Sequence, residues 1–299
     1  MSTILQIETP AHFNFTQNLH YLSRSPDECM YHILDGGIKR ALQLEGQTII
    51  IELREAASDK PALEVRFLCG NDTAQLQAAV SRYVREWLDL DTDLQPFYDC
   101  AVREPLLQHA VASFPGLRIM GIPDLFEALC WGIIGQQINL PFAYTLKRRL
   151  VEQFGEGIAY EGRQYLLFPD PAIIAGLSVG QLTSLQLTGR KSEYLIGVAS
   201  LIAEGELSKE QLLASGSLQA AERMLLRIRG IGPWTANYVL MRCLRFPNAF
   251  PIDDVGLHNA IKHLKGMERK PTKQEITELA AAWSSWEAYA TFYLWRLLY

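Results

Sequence analysis

Two aspartates that open a helix are the strongest candidates for chemistry in this sequence. Asp253 and Asp254 follow Phe250-Pro251-Ile252 and precede an apolar pattern of helical spacing. Acidic residues in this position are most often N-cap groups, worth about 1 kcal/mol each. One cap needs only one aspartate, however. If one carboxylate faces a cavity instead, it provides a fixed negative charge beside a site where positive charge develops.

The segment that precedes these aspartates predicts two helices joined by a short turn. Ser217 caps the first helix, Gly230-Ile231-Gly232 interrupts its apolar pattern, and Pro233 suits the first turn of the second. Backbone N–H groups at such a helix start, aided by the helix dipole, can bind a phosphate without any basic side chain. A tight interhelical turn without a ligand is the alternative, and the flanking residues favour the phosphate site.

Aromatic residues accompany the hairpin and the C-terminus. Trp234 and Tyr238 lie four positions apart and therefore share a helix face, a spacing that is usually part of a core. The C-terminal segment holds more rings than one helix pair needs for packing, namely Trp283, Trp286, Tyr289, Phe292, Tyr293, Trp295 and Tyr299. We expect some of them to line a cavity whose flat walls suit a nucleobase, with stacking worth about 1–3 kcal/mol per base.

Composition limits the class of protein. With 28 Lys and Arg against 33 Asp and Glu, the net charge is −5, which argues mildly against nucleic acid unless backbone groups supply the contacts. Five cysteines at positions 29, 69, 100, 130 and 243 fit no disulfide or zinc spacing. No export signal is evident, and the longest apolar run falls short of the about 20 residues that a membrane span needs. We expect a cytoplasmic protein.

The elements that position these residues change in type near residue 100. Residues 48–53 and 63–69 are predicted strands, and residues 73–88 have the apolar spacing of a helix. Beyond residue 100 almost every segment indicates helix, with capping-box pairs at Asp124 and Glu127, Ser178 and Gln181, and Thr272 and Glu275.

The hairpin GIGPWTANY and the following IDDVGL resemble a known superfamily, the helix-hairpin-helix, Gly/Pro-Asp DNA glycosylases of base excision repair, and more closely the bacterial DNA-3-methyladenine glycosylase II branch. The resemblance extends through residues 115–118, 124–138 and 283–295 and covers nearly all of residues 96–299. It implies a small α+β domain with an antiparallel sheet over residues 1–100. An all-α glycosylase domain of two helical subdomains, with the active-site cleft between them, would span residues 101–299.

The resemblance also implies roles for individual residues. Asp254, whose next residues begin the helix, corresponds to the catalytic aspartate, and Trp234, Tyr238 and Trp295 correspond to the base pocket. Bifunctional relatives carry a nucleophilic lysine at the position of Trp234, so a lyase step through a Schiff base is not expected. No cysteine follows Cys243, which leaves no ligands for the C-terminal iron-sulfur cluster of some relatives.

DNA contacts are implied at two loops. Gly230, Ile231 and Gly232 would bind the DNA backbone. A side chain of Gln136-Gln137, after GIIG, would fill the gap left by the flipped base. Relatives have an apolar wedge there, and Gln137 could instead hydrogen-bond the opposite base or be an exposed glutamine with no such role.

A Na⁺ or K⁺ ion held by the carbonyls of Leu226, Ile228 and Ile231 is implied as well, with no other cofactor required.

We therefore expect a monomeric hydrolase that flips alkylated purines of the 3-methyladenine and 7-methylguanine class out of double-stranded DNA and cleaves the N-glycosidic bond. No membrane and no obligate protein partner is expected. Two alternatives stay open at this point. One is a glycosylase of the same fold for deaminated or oxidised bases, and the other is a DNA-binding protein without catalytic activity.

Overall fold

The N-terminal part of the protein is built on one antiparallel sheet. In the computed structural model, which describes residues 4–57 and 59–298, five strands pair in the order β1-β5-β4-β3-β2. Their bounds are β1 Ile4–Glu8, β2 His32–Leu34, β3 Gly37–Leu44, β4 Gln47–Glu55 and β5 Ala62–Cys69. The β3–β4 hairpin turns through Glu45 and Gly46, both at positive φ (50° and 69°). The sheet therefore has the antiparallel form that the resemblance implies.

The predicted strands at 48–53 and 63–69 are confirmed as β4 and β5. Ile49, Ile50 and Ile51 are all buried, because β4 has packing on both faces of the sheet. The predicted helix at 73–88 is α2 (Ala74–Leu88), whose N-cap Thr73 accepts a hydrogen bond from the Leu76 N–H. Strand β3 was not predicted, since its apolar residues are interrupted by Lys39 and Arg40.

Helices form most of the remaining chain. In the N-terminal part these are α1 (Phe15–Leu22), α2, α3 (Gln95–Ala101) and α4 (Pro105–Ser113). The following helices are α5 (Leu125–Ile134), α6 (Leu140–Phe154), α7 (Pro171–Ala175), α8 (Val179–Thr183), α9 (Gly189–Ala203), α10 (Lys209–Ala214), α11 (Leu218–Leu226), α12 (Pro233–Arg242), α13 (Val255–Leu264), α14 (Lys273–Ala280) and α15 (Glu287–Arg296), with a 3₁₀ turn at Ala281–Trp283 before α15. None of the described helices is long and apolar enough to cross a membrane.

A two-stranded hairpin is the exception in the region predicted as all helix. Strands β6 (Gly157–Tyr160) and β7 (Arg163–Leu166) are too short to show a periodic pattern in the sequence. They lie against the N-terminal sheet, where Tyr165 packs with Ala41 and Ile50. The hairpin therefore joins the helical part to the sheet. The predicted domain limits, 1–100 and 101–299, stay a prediction.

A buried ion cluster ties the sheet to the helical region. Glu127 on α5 accepts hydrogen bonds from Lys147 on α6 (2.9 Å) and Arg40 on β3 (3.3 Å), and Glu28 lies 3.5 Å from the Lys147 ammonium. Burial alone would raise the pKa of Glu127, but Lys147 and Arg40 together lower it below its ordinary value. The carboxylate is therefore held charged by its two cationic neighbours.

This cluster corrects one predicted cap. Asp124 does accept a hydrogen bond from the Glu127 N–H (2.6 Å), but the Glu127 side chain turns to the cluster instead of returning to the cap. The capping boxes of Ser178 with Gln181 and of Thr272 with Glu275 are confirmed.

We expect Glu127→Ala to destabilise the protein by about 3–5 kcal/mol, because it leaves two buried cations without their shared carboxylate. The free energy of unfolding in urea measures this change. The matched control is Glu152→Ala, which removes a carboxylate with 48% side-chain exposure from its pair with Arg148 and should cost less than about 1 kcal/mol. Equal losses in the two variants would contradict the structural role of the cluster.

Candidate active site

The predicted hairpin is formed by α11 and α12 and the loop between them. Ser217 caps α11 by accepting a hydrogen bond from the Ala220 N–H, and Pro233 is the first residue of α12. Gly232 is the N-cap of α12 and has no side chain to bond the free N–H groups of its first turn. These N–H groups are available to a ligand.

The two glycines of the hairpin loop have different reasons to be glycine. Gly230 has a φ of +93°, and a Cβ there would come within 2.3 Å of the Tyr194 ring. Only glycine fits both constraints. Gly232 has an ordinary φ of −92°, and a Cβ would meet nothing within 4 Å. The fold does not require glycine at 232, so the open space above its backbone suits the close approach of another molecule.

Asp254 occupies the centre of the site. Its Oδ1 atom accepts hydrogen bonds from the Leu257 N–H (2.8 Å) and the Trp295 indole N–H (2.6 Å), and its Oδ2 accepts one from the Trp234 indole N–H (2.7 Å). In the sequence, a helix cap and a carboxylate that faces a cavity were alternative roles for these aspartates. Asp254 has both roles. Asp253 is exposed and forms an ion pair with Lys273 (2.6 Å).

The backbone around Asp254 is fitted to this arrangement. A Cβ on Gly256 would lie 2.9 Å from the Asp254 Oδ1 atom and 3.1 Å from the Trp295 ring, so a side chain at 256 would push the indole away from the carboxylate. On the other side of the turn, the Asn237 side chain accepts a hydrogen bond from the Phe250 N–H (3.0 Å) and so anchors the segment that leads to Asp254. Neither residue was singled out in the sequence, where Gly256 has no distinguishing pattern.

The three predicted pocket rings lie together. Trp234 and Tyr238 are stacked, with ring centroids 5.5 Å apart and an interplanar angle of 28°, and the Trp295 ring lies 6.3 Å from that of Tyr238. The Tyr238 hydroxyl accepts a hydrogen bond from the buried Arg242 guanidinium (2.9 Å), which fixes the ring. Their role in base binding stays a prediction.

Most of the aromatic residues of the C-terminal segment do not line the cleft. Most of them are buried in the core, and Trp286 packs on Phe97. Trp295 is the C-terminal ring that reaches the cleft within the described residues, and Tyr299 lies outside them. The surplus of rings near the C-terminus therefore serves mainly to pack α15.

These residues line one cleft of about 1160 Å³. Its wall includes the hairpin, the Asp254 turn and Trp295, as expected, but also Tyr21 and Arg24 from the N-terminal part and Trp131 from α5. These last three residues were not predicted from the sequence. No local signal could have identified Tyr21 or Arg24, because both lie more than 200 positions before Trp234 and Asp254.

The two glutamines after α5 have separate roles. Gln136 donates hydrogen bonds to the Gly230 carbonyl (2.9 Å) and the Thr235 hydroxyl (3.1 Å), so its side chain fastens this loop to the hairpin. Gln137 is exposed beside the cleft, with a φ of +56° that is uncommon for a residue other than glycine. Of the two, only Gln137 has a side chain available for DNA, and that contact stays a prediction.

The predicted cation ligands are hairpin carbonyls with spare acceptor capacity. Within the described part of the chain, the Leu226 and Ile231 carbonyls accept no hydrogen bond, and the Ile228 carbonyl accepts one from the Ile231 N–H (3.1 Å). Carbonyl oxygens with a lone pair to spare are a fitting ligand set for a hard cation.

The comparisons with known proteins agree with this arrangement. Residues 130–285 match the family model of the HhH-GPD superfamily of base excision DNA repair proteins, and residues 4–124 match that of the AlkA N-terminal domain. The chain belongs to the HhH-GPD superfamily. Its predicted fold class, a small antiparallel-sheet domain followed by a helical HhH-GPD domain, is confirmed.

Individual members of the superfamily are similar over different lengths. DNA-3-methyladenine glycosylase of Bacillus subtilis (strain 168) is 48% identical over 303 residues, 100% of this chain and 98% of that protein. DNA-3-methyladenine glycosylase 2 of Escherichia coli (strain K12) is 30% identical over 184 residues, 62% of this chain and 61% of that protein. The solved 3-methyladenine DNA glycosylase of Archaeoglobus fulgidus has the same fold, with a TM-score of 0.83 at 23% identity over 97% of both chains.

The hairpin glycines provide a test of which backbone contacts a ligand. We expect Gly232→Ala to change the free energy of unfolding by less than about 0.5 kcal/mol but to weaken duplex DNA binding at least about tenfold, because the methyl group meets no protein atom and blocks a close approach. Gly230→Ala should instead cost about 2 kcal/mol or more of stability, since its φ and the Tyr194 ring exclude a side chain.

Urea unfolding and fluorescence anisotropy on a labelled duplex measure the two effects. Unchanged DNA affinity in a fully folded Gly232→Ala variant would contradict the assignment of the hairpin to DNA.

Proposed function

We propose that this protein is a monofunctional DNA glycosylase that removes alkylated purines of the 3-methyladenine and 7-methylguanine class from duplex DNA in base excision repair. One observation carries the proposal. The Asp254 carboxylate is fixed by two indole N–H groups inside an aromatic cleft, next to a hairpin with free backbone donors.

Binding begins at the hairpin. Free N–H groups at the start of α12, the positive end of its helix dipole and the open backbone at Gly232 suit one DNA phosphate. This mode of binding explains how a chain with a net charge of −5 can bind DNA. It should also depend less on salt than binding by many lysines does.

The flipped base would then enter the cleft. Extrusion costs a few kcal/mol, and stacking on rings such as Trp234, Tyr238 and Trp295 recovers about 1–3 kcal/mol per base. An N3- or N7-alkylated purine carries positive charge and gains a further 0.5–2 kcal/mol or so from the ring faces. Stacking therefore favours the alkylated bases over their neutral parents.

Cleavage needs an anion beside the sugar. When the N-glycosidic bond breaks, its electron pair leaves with the base, which becomes neutral, and positive charge appears on the deoxyribose ring. Asp254 stabilises that charge. Its Oδ1 atom already accepts two hydrogen bonds and its Oδ2 atom one, so Oδ2 has capacity left for the sugar or the incoming water. Water then adds to the sugar carbon, and its proton is released.

No lyase step is part of the proposal. Trp234 stands where bifunctional relatives, according to the resemblance, carry a nucleophilic lysine. Among the described residues that line the cleft there is no lysine at all. Without an amine to attack the sugar, hydrolysis is the available route.

The hairpin carbonyls of Leu226, Ile228 and Ile231 would hold a Na⁺ or K⁺ ion, whose charge would attract the DNA phosphate. We further propose that the enzyme acts as a monomer in the cytoplasm and requires no other cofactor.

Substitution of Asp254 by Asn tests the mechanism while keeping the helix cap, because asparagine is as good an N-cap as aspartate. We expect release of 3-methyladenine and 7-methylguanine from methylated duplex DNA under single-turnover conditions to fall by about a hundredfold or more. DNA affinity should be retained, since a carboxylate near phosphates does not contribute to it. Asp253→Asn is the matched control at the same rim of the cleft and should stay within about twofold of the wild type, because the exposed Asp253 pairs with Lys273 and accepts neither of the indole hydrogen bonds that hold Asp254.

Alkali treatment of the DNA afterwards completes the test. Strand breaks that appear only after alkali indicate hydrolysis without lyase activity. Release of neither base by the wild type, with duplex binding intact, would overturn the substrate assignment. Activity of Asp254→Asn at the wild-type rate would overturn the role of the carboxylate.

A further inference from the structure

Arginine side chains contribute to the cleft at sites that the proposed mechanism does not use. Arg242 is committed to the protein, since it donates to the Tyr238 hydroxyl (2.9 Å), the Tyr21 hydroxyl (3.2 Å) and the Met120 carbonyl. Arg24 is different. It donates one hydrogen bond, from Nη1 to the Tyr21 carbonyl (2.9 Å), and no other described residue accepts from it.

The guanidinium of Arg24 is nevertheless held in place. It lies over the Tyr21 ring at 3.8 Å from the centroid, and the centroid of Tyr144 is 5.7 Å away. No carboxylate among the described residues pairs with it. A guanidinium has five N–H donors and no acceptor, so most of its donors are unused at the wall of the cleft.

A chain of hydrogen bonds connects this position to the predicted base pocket. The Tyr21 ring under Arg24 ends in a hydroxyl that accepts from Arg242, and Arg242 also donates to Tyr238. Tyr238 in turn stacks on Trp234. Arg24 therefore belongs to the aromatic wall where a base would lie, and its remaining donors are available to an acceptor on that base.

Purines differ in the group that they carry at C6. Guanine-type purines have a carbonyl there, which accepts hydrogen bonds, whereas adenine-type purines have an amino group, which donates them. A group that only donates can bond the carbonyl but not the amino group. The same carbonyl receives part of the electron density that leaves with the base when the glycosidic bond breaks, so a cationic donor beside it gains strength in the transition state.

We propose that Arg24 is a specificity-determining residue that donates a hydrogen bond to the C6 carbonyl of a flipped 6-oxopurine. This inference rests on the proposed function and adds to it a residue from the N-terminal part that separates 7-alkylguanine from alkylated adenines. Arg24 assists departure of the oxopurine through this carbonyl, which 3-methyladenine lacks.

The test compares two bases released from the same DNA. Wild type, Arg24→Met and Arg24→Lys are each incubated in excess with methylated duplex DNA, and 7-methylguanine and 3-methyladenine are quantified over time. We expect Arg24→Met to lower the rate for 7-methylguanine about tenfold or more and to leave that for 3-methyladenine within about twofold. Arg24→Lys, which keeps a charged donor, should recover part of the loss.

Arg82→Met is the matched control. Arg82 is also in the N-terminal part, its side chain is 65% exposed, and it pairs with Glu45 outside the cleft. Neither rate should change in this variant. Thermal unfolding of all variants verifies that they are folded under the assay conditions.

The outcomes separate the two proposals. An equal fall in both rates for Arg24→Met indicates a structural role and overturns the inference, as does an unchanged ratio of the two bases. Failure of the wild type to release either base would overturn the proposed function together with this inference. Release of 3-methyladenine at the wild-type rate with a selective loss of 7-methylguanine supports both.

Discussion

The hydrogen bonds to the Asp254 carboxylate are the interaction on which the site depends. Donors come from α12, α13 and α15, through Trp234, the Leu257 N–H and Trp295. Three helices are thereby fixed around one negative charge, and the same contacts set the planes of two of the rings in the cleft. Because three hydrogen bonds orient the carboxylate before any ligand enters, it would need no reorganisation in the proposed mechanism when positive charge develops beside it.

Some charged side chains are buried and have a structural role, whereas the predicted DNA contact at the hairpin uses backbone groups. The hairpin offers backbone donors to an anion, so the chain needs no basic face. Several cations lie inside instead. Lys147 and Arg40 neutralise Glu127 between sheet and helices, and Arg242 orders two tyrosine hydroxyls in the wall of the cleft. Such buried charges hold their neighbours in one arrangement, since each unsatisfied donor would cost free energy.

The N-terminal part of the protein forms a portion of the cleft in addition to packing against the helical region. It contributes Tyr21 and Arg24 to the wall of the cleft. The β6–β7 hairpin and the Glu127 cluster hold it against the helical region. The shape of the cleft thus depends on contacts between segments that are far apart in sequence. Those contacts also determine which donors a base in the cleft would meet.

The sequence by itself determined the local features: helix starts, the Gly-Ile-Gly hairpin, strands β4 and β5, and the shared face of Trp234 and Tyr238. Each depends on residues within a few positions, where backbone geometry leaves little choice. Only the tertiary structure decided that Trp295 bonds Asp254, that Gln136 faces the hairpin and that Tyr21 and Arg24 reach the cleft. Burial and packing between distant segments select these partners, so the spacing of neighbouring residues does not predict them.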